Sequence, residues 1–68
     1  MKQNEVAVGG VYLTKIGDSL VRVKVIHEEM PTHYNPRTRY AVARLLGADG
    51  AVGPVLPKRR TAAALHLP

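Results

Sequence analysis

A chain of 68 residues without cysteine has room for one domain and one small core, and it excludes a disulfide framework or a thiolate metal site. Such a domain buries only about 60% of the surface its unfolded chain exposes. Phe and Trp are absent, so the core must come from Val, Leu, Ile, Ala and three tyrosines. The net charge of +5 is unevenly placed: Lys2, Lys15, Arg22 and Lys24 balance Glu5, Asp18, Glu28 and Glu29, whereas Arg37, Arg39, Arg44, Lys58, Arg59 and Arg60 face Asp49 alone. An excess confined to residues 37–68 attracts polyanions or acidic protein surfaces, although a small protein also needs net charge for solubility.

In chain order, residues 1–5 are polar and expected to fray. Val6-Ala7-Val8 is a short extended lead-in ended by Gly9-Gly10, and no apolar run is long enough for a signal peptide or a membrane span. The reducing cytoplasm is the expected location of this cysteine-free chain. Residues 11–16 read as the first strand, followed by a Gly17-Asp18-Ser19 turn. In residues 20–27, Val21, Val23 and Val25 share one face and Arg22 and Lys24 the other, which is the period of a half-buried strand. Residues 28–38 form a loop, because Met30-Pro31 and Asn35-Pro36 each remove a donor and turn the preceding residue away from helix.

Residues 39–46 follow as a third strand of ambiguous phase. Tyr40 and Val42 alternate against Ala41, Ala43 and Leu45, and the Ala, Arg and Leu content also suits a helix. Gly47-Ala48-Asp49-Gly50 is a turn. Residues 51–56 read as a fourth strand in which Gly53 and Pro54 mark an edge or a bulge. Thr61 can cap one helical turn through Ala62-Ala63-Ala64, and Leu65-His66-Leu67 would close the sheet as a last strand. The result is a single all-β domain over 1–68, with its core at about residues 8–67.

This order of elements resembles an SH3-like barrel: five short strands with one short helical turn before the last. The opening runs Val8-Gly9-Gly10-Val11-Tyr12 and Val21-Arg22-Val23-Lys24-Val25 and the late run Arg60-Thr61-Ala62-Ala63-Ala64-Leu65 carry the likeness. The pattern also resembles small SH3-like barrel proteins of bacteria and their mobile elements. Such barrels bind peptides, nucleic acids or other proteins, and a few are enzymes. The aromatic groove of proline-binding SH3 domains needs several aromatics including Trp, and here only Tyr12, Tyr34 and Tyr40 are present. The Val-Gln-Ile-Tyr stretch of small SH3-like reductases is also missing. The fold likeness therefore assigns no activity.

The candidate binding residues fall into three groups. His33, Tyr34, Arg37, Arg39 and Tyr40 interleave rings that stack on bases with guanidinium groups that grip phosphate, a mixture equally suited to a protein interface. Lys58, Arg59 and Arg60 form a short basic run beside the helical turn. Arg22 and Lys24 would merge with Arg39 or Arg44 into one cationic surface if the neighbouring strand points them the same way. The plainer readings are an exposed loop, a solvated turn and a solvated face.

His27, Glu28, Glu29 and His33 superficially suggest zinc, but the histidines are six apart and Pro31 prevents a helix. A solvated strand end with Glu28 and Glu29 paired to nearby Arg is the plain reading, and no metal or cofactor is expected. No triad or phosphate loop can be assembled from the spacing. The leading expectation is a non-enzymatic module for nucleic acid or an acidic protein surface. An adaptor or inhibitor of a larger protein is one alternative. A small oligomeric enzyme with its site on a symmetry axis is the other, and a homo-oligomer is open.

Overall fold

A computed structural model describes every residue except Met1, Asn35, Ala48 and Asp49, with Gln3 described for its backbone only. The chain is mostly β: strands β1 (Val11–Ile16), β2 (Ser19–Glu29), β3 (Arg39–Leu46), β4 (Ala51–Val55) and β5 (Arg60–Thr61) form one antiparallel sheet. Short 3-10 turns lie at Gln3–Glu5 and Ala62–Ala64. No described helix is long and apolar enough to cross a membrane.

β1 and β2 are a hairpin whose pairing runs to Ile16 opposite Ser19, leaving Gly17-Asp18 as a two-residue turn. Gly17 takes φ +62° while Asp18 stays at negative φ, the pattern of a II′ turn with glycine first. Ser19, expected in the turn, already belongs to β2. The alternation read in β2 is present: Val23 and Val25 are buried, Val21 is half-buried and Arg22 is exposed.

β3 is a strand, and its ambiguous phase has a physical cause. Tyr40, Ala41, Val42 and Ala43 are all buried, so polar residues mark neither face. The strand is hydrogen-bonded on both edges, to β2 along one and to β4 and β5 along the other. Tyr40 and Val42 turn inward to join Tyr12, Val23, Val25 and Leu65, with Val6, Leu56 and Ala62 packed against this core. The turn read at 47–50 includes Ala48 and Asp49, and the loop read at 28–38 includes Asn35, all outside the described residues.

The late part of the chain departs from expectation in order. The fifth strand precedes the 3-10 turn rather than following it, because Arg60 and Thr61 pair with Tyr40 and Arg39. The segment read as the closing strand shrinks to one bridge, in which Leu13 and His66 exchange two main-chain hydrogen bonds of 2.8 Å. The sheet is therefore not closed into a barrel by a full strand. Thr61 stands at the N-terminal end of the turn without a side-chain capping bond, so its expected capping role is not made.

Both ends of the chain are tied to β1. The Tyr12 hydroxyl accepts from the Ala7 N–H at 2.9 Å and donates to the Glu5 carbonyl at 3.3 Å, next to the 3-10 turn at residues 3–5. A Cβ on Gly10 would stand 2.5 Å from that hydroxyl, so the close seat of the Tyr12 ring depends on glycine there. Buried Thr14 donates its hydroxyl to the Ala64 carbonyl at 2.9 Å, which fixes the C-terminal turn over the core and seats Leu65, itself fully buried. Thr14→Val keeps the shape but removes that donor. It is expected to cost about 1–2 kcal/mol, a fall of roughly 5–15 °C in melting temperature for a domain of this size. A thermal melt with an unchanged midpoint would show that the turn is held some other way.

Candidate functional site

The candidate site lies where β2 ends and β3 begins, and the strand register assembles it. Glu29 is opposite Arg39 in the β2–β3 ladder, and Arg39 is opposite Thr61 in the β3–β5 ladder. β4 and β5 run along the same edge of β3. Leu56 donates to Val42 and Arg60 pairs with Tyr40, so Pro57, Lys58 and Arg59 together span the single position of Ala41. The surplus residues are forced out of the ladder as a bulge. Proline at its start fits, since it offers the edge no donor.

The bulge swings Arg59 over the end of β2. Glu29 accepts from Arg59 Nε through one carboxylate oxygen and from Arg39 at 3.3 Å through the other. The Arg59 contact comes first in lowering the Glu29 pKa below its ordinary 4.5; desolvation opposes it as the second-largest effect, and the charges of Arg59, Arg39 and His27 each add a smaller lowering. Glu29, Arg39, Pro57, Lys58 and Arg59 line an open depression of about 540 Å³. One carboxylate among two guanidiniums and an ammonium leaves this depression net positive. A second depression of about 440 Å³, lined by Pro36, Arg37, Thr38, Thr61, Ala62 and Ala63, meets the first at the Arg39–Thr61 rung.

The intervening loop carries Tyr34, 88% exposed, with His33 edge-on to it at a ring-centroid distance of 5.4 Å. Arg37 is exposed as well. His33, Tyr34, Arg37, Arg39, Lys58 and Arg59 therefore belong to one end of the sheet, as loop, rung and bulge.

The remaining sequence candidates go elsewhere. Tyr40 is 1% exposed and part of the core, so its ring presents no face to a partner, and burial, aided by Glu28 and Tyr12, raises its phenol pKa above the ordinary 10.0. Its place directly after the loop in sequence suggests a loop aromatic, but it takes the inward phase of β3. Arg60 is opposite Tyr40 and half-buried, and its Nε is shut from solvent with no hydrogen-bond partner among the described residues.

Arg22 and Lys24 point to the outer face, where Leu13 and Val11 are their partners on β1. Arg44 is opposite Val23 and so takes the other phase, and Arg39 shares the outer phase but is met by Glu29. The continuous cationic surface does not form. Among the described residues no three His, Asp or Glu side chains gather as a metal site. Glu29 was absent from the candidate binding set, although its expected pairing with nearby Arg is present. A register signal was available: a strand ending in Glu29 and one starting at Arg39 must place them opposite each other if the intervening loop closes a hairpin. Comparison with family models, curated proteins and solved structures finds no match for the chain.

Because its folded pKa is lowered, Glu29 contributes its stabilisation in full above the ordinary carboxylate range, and the contribution disappears as pH falls through the lowered folded value. In a carbon-detected NMR titration the Glu29 carboxyl is expected to titrate below 4.5. Arg59→Gln should move it back toward that value, and Lys58→Gln, which removes no bond to Glu29, should move it much less. Equal effects of the two changes would mean that a diffuse field rather than the Arg59 contact sets the shift.

Proposed function

We propose that this chain is a small SH3-like module that binds single-stranded nucleic acid, without catalysis, through the loop and bulge at the β2–β3 end. The observation that carries the reading is the exposed Tyr34 ring on the loop joining β2 to β3, the strands whose facing residues Glu29 and Arg39 line a depression with Lys58 and Arg59. Single strands are held by an aromatic platform for bases together with cations that follow the phosphates. An exposed ring is poorly used in water and well used under a base. The SH3-like assignment is supported by the antiparallel run β1-β2-β3-β4, by the late 3-10 turn, and by the return of the tail to β1 at Leu13–His66. A cytoplasmic location, where nucleic acid is at hand, goes with this reading.

One observation favours a second reading, an acidic protein surface. The two guanidiniums already grip a carboxylate, that of Glu29, which is the group such a surface would offer.

Fluorescence anisotropy with a labelled oligo-dT of about 12 nucleotides, one or two binding-site lengths for a small barrel, separates the readings. Binding is expected to weaken steeply with salt as counterions are released. Tyr34→Ala should weaken it about tenfold or more, since stacking is worth ~1–3 kcal/mol per base. Arg37→Glu with Lys58→Glu should abolish it, while Arg22→Glu with Arg44→Glu, an equal charge change away from that end, should cost far less. Equal losses from the two double changes would reduce the effect to undirected charge. Capture of poly-glutamate but not of the oligonucleotide would favour the second reading, and capture of neither at low salt would end both.

A further inference from the structure

We propose that the free edge of β4 pairs antiparallel with the same edge of a second copy, making a two-fold dimer that is independent of what the basic end binds. The edge has three properties that point to this occupant. Its main chain is available: Leu56 donates to Val42 at 2.9 Å, so Val55, opposite Ala43, is the residue of a non-hydrogen-bonded pair. By strand alternation its N–H and C=O point away from β3, on the side where no described strand pairs with β4. Its side chains are apolar and uncovered, with Val52 at 53%, Val55 at 52% and neighbouring Leu46 at 49% exposure. Finally, the stretch Gly50-Ala51-Val52-Gly53-Pro54-Val55-Leu56-Pro57 carries no charge in a chain of net charge +5.

Natural edge strands are guarded by charges, by proline, by bulges or by being short. β4 carries no charge, and its short length, Pro54 and the bulge between Val52 and Val55 confine pairing to its Val55 end. The charge pattern selects the partner. Copies of a +5 protein repel, and the repulsion is strongest across the outer face bearing Arg22 and Lys24 and across the Lys58–Arg59 end. Along β4 two copies can approach without opposing cations. An acidic or basic partner would find no complementary charge on that strip. An antiparallel strand edge is also complementary to itself, which a two-fold interface requires. The contact is short, below the ~1,200 Å² of a stable interface, so the dimer is expected to be weak.

Sedimentation equilibrium of the whole chain, from about 10 μM to about 1 mM to bracket a dissociation constant on the order of 100 μM, reads the assembly. The mean mass is expected to rise from 7.4 kDa toward twice that value. The rise should be greater at high salt, where repulsion between copies is screened. That sign is opposite to the salt dependence of nucleic-acid binding, so failure of one reading cannot be mistaken for failure of the other.

Amide exchange by NMR tests the geometry: at a dissociation constant on the order of 100 μM the Val55 N–H should exchange about fourfold more slowly at the concentrated end, as an amide withdrawn from water only in the dimer does. Val55→Lys places cations against each other across the axis and should give a monomer with an unchanged circular dichroism spectrum. A monomer throughout the range would overturn the proposal. A dimer that survives Val55→Lys, or one in which Val55 exchanges at the same rate at both concentrations, would overturn it equally by placing the contact on another face.

Discussion

Everything in this fold hangs on β3. Its main chain is paired along both edges and four consecutive residues, Tyr40 to Ala43, are buried. A strand used on both faces and both edges cannot adjust, because a slip of one residue would exchange Tyr40 and Val42 for alanines throughout the core. Mismatches of length are therefore absorbed by its neighbours. β2 changes register between Val25 and His27, β4 changes between Val52 and Val55, opposite Leu45 and Ala43, and the largest excess leaves the ladder at Pro57–Arg59. The candidate site is made by that last accommodation.

With neither Phe nor Trp available, two tyrosines supply the large rings of the core. A buried phenol brings a polar atom that must be satisfied. For Tyr12 the solution doubles as architecture, since its hydroxyl bonds Ala7 and Glu5 and so ties down the N-terminal segment. Thr14 does the corresponding work at the other end, bonding Ala64 over the core. Polar groups inside this small domain thus act mainly as fasteners for segments that carry too little apolar surface to hold themselves.

Much of the sheet was legible. β1 and β3 have the bounds read from the sequence, and β2 exceeds residues 20–27 by Ser19, paired with Ile16, and by Glu28 and Glu29, whose charges carry no apolar alternation. Legibility stopped where pairing across the sheet decides the outcome. Arg60 and Thr61 have no strand signature of their own; β3 makes them a strand by presenting a free edge. Tyr40 looks like a loop aromatic until the phase of β3 is known. The charge division was legible as a count but misleading in space, because Glu29 from the balanced half sits between Arg39 and Arg59 from the basic half.

The track along the outer edge of β3 is in effect one strand divided at Pro57. Before it lie seven uncharged residues, Gly50 to Leu56, and immediately after it come Lys58, Arg59 and Arg60. The division has a physical basis. Residues in the ladder keep their main-chain groups in register with β3, and their side chains stand in rows where like charges crowd one another. Residues in the bulge are released from both constraints, and there Lys58 and Arg59 can spread, Arg59 to Glu29 and Lys58 into the open depression, before Arg60 re-enters the ladder opposite Tyr40. Glu29 is what makes the crowding tolerable, since without its carboxylate two guanidiniums would face each other over the end of β2. The same carboxylate fixes where they point, so the charge that lowers their mutual repulsion also presets the arrangement an incoming anion would meet.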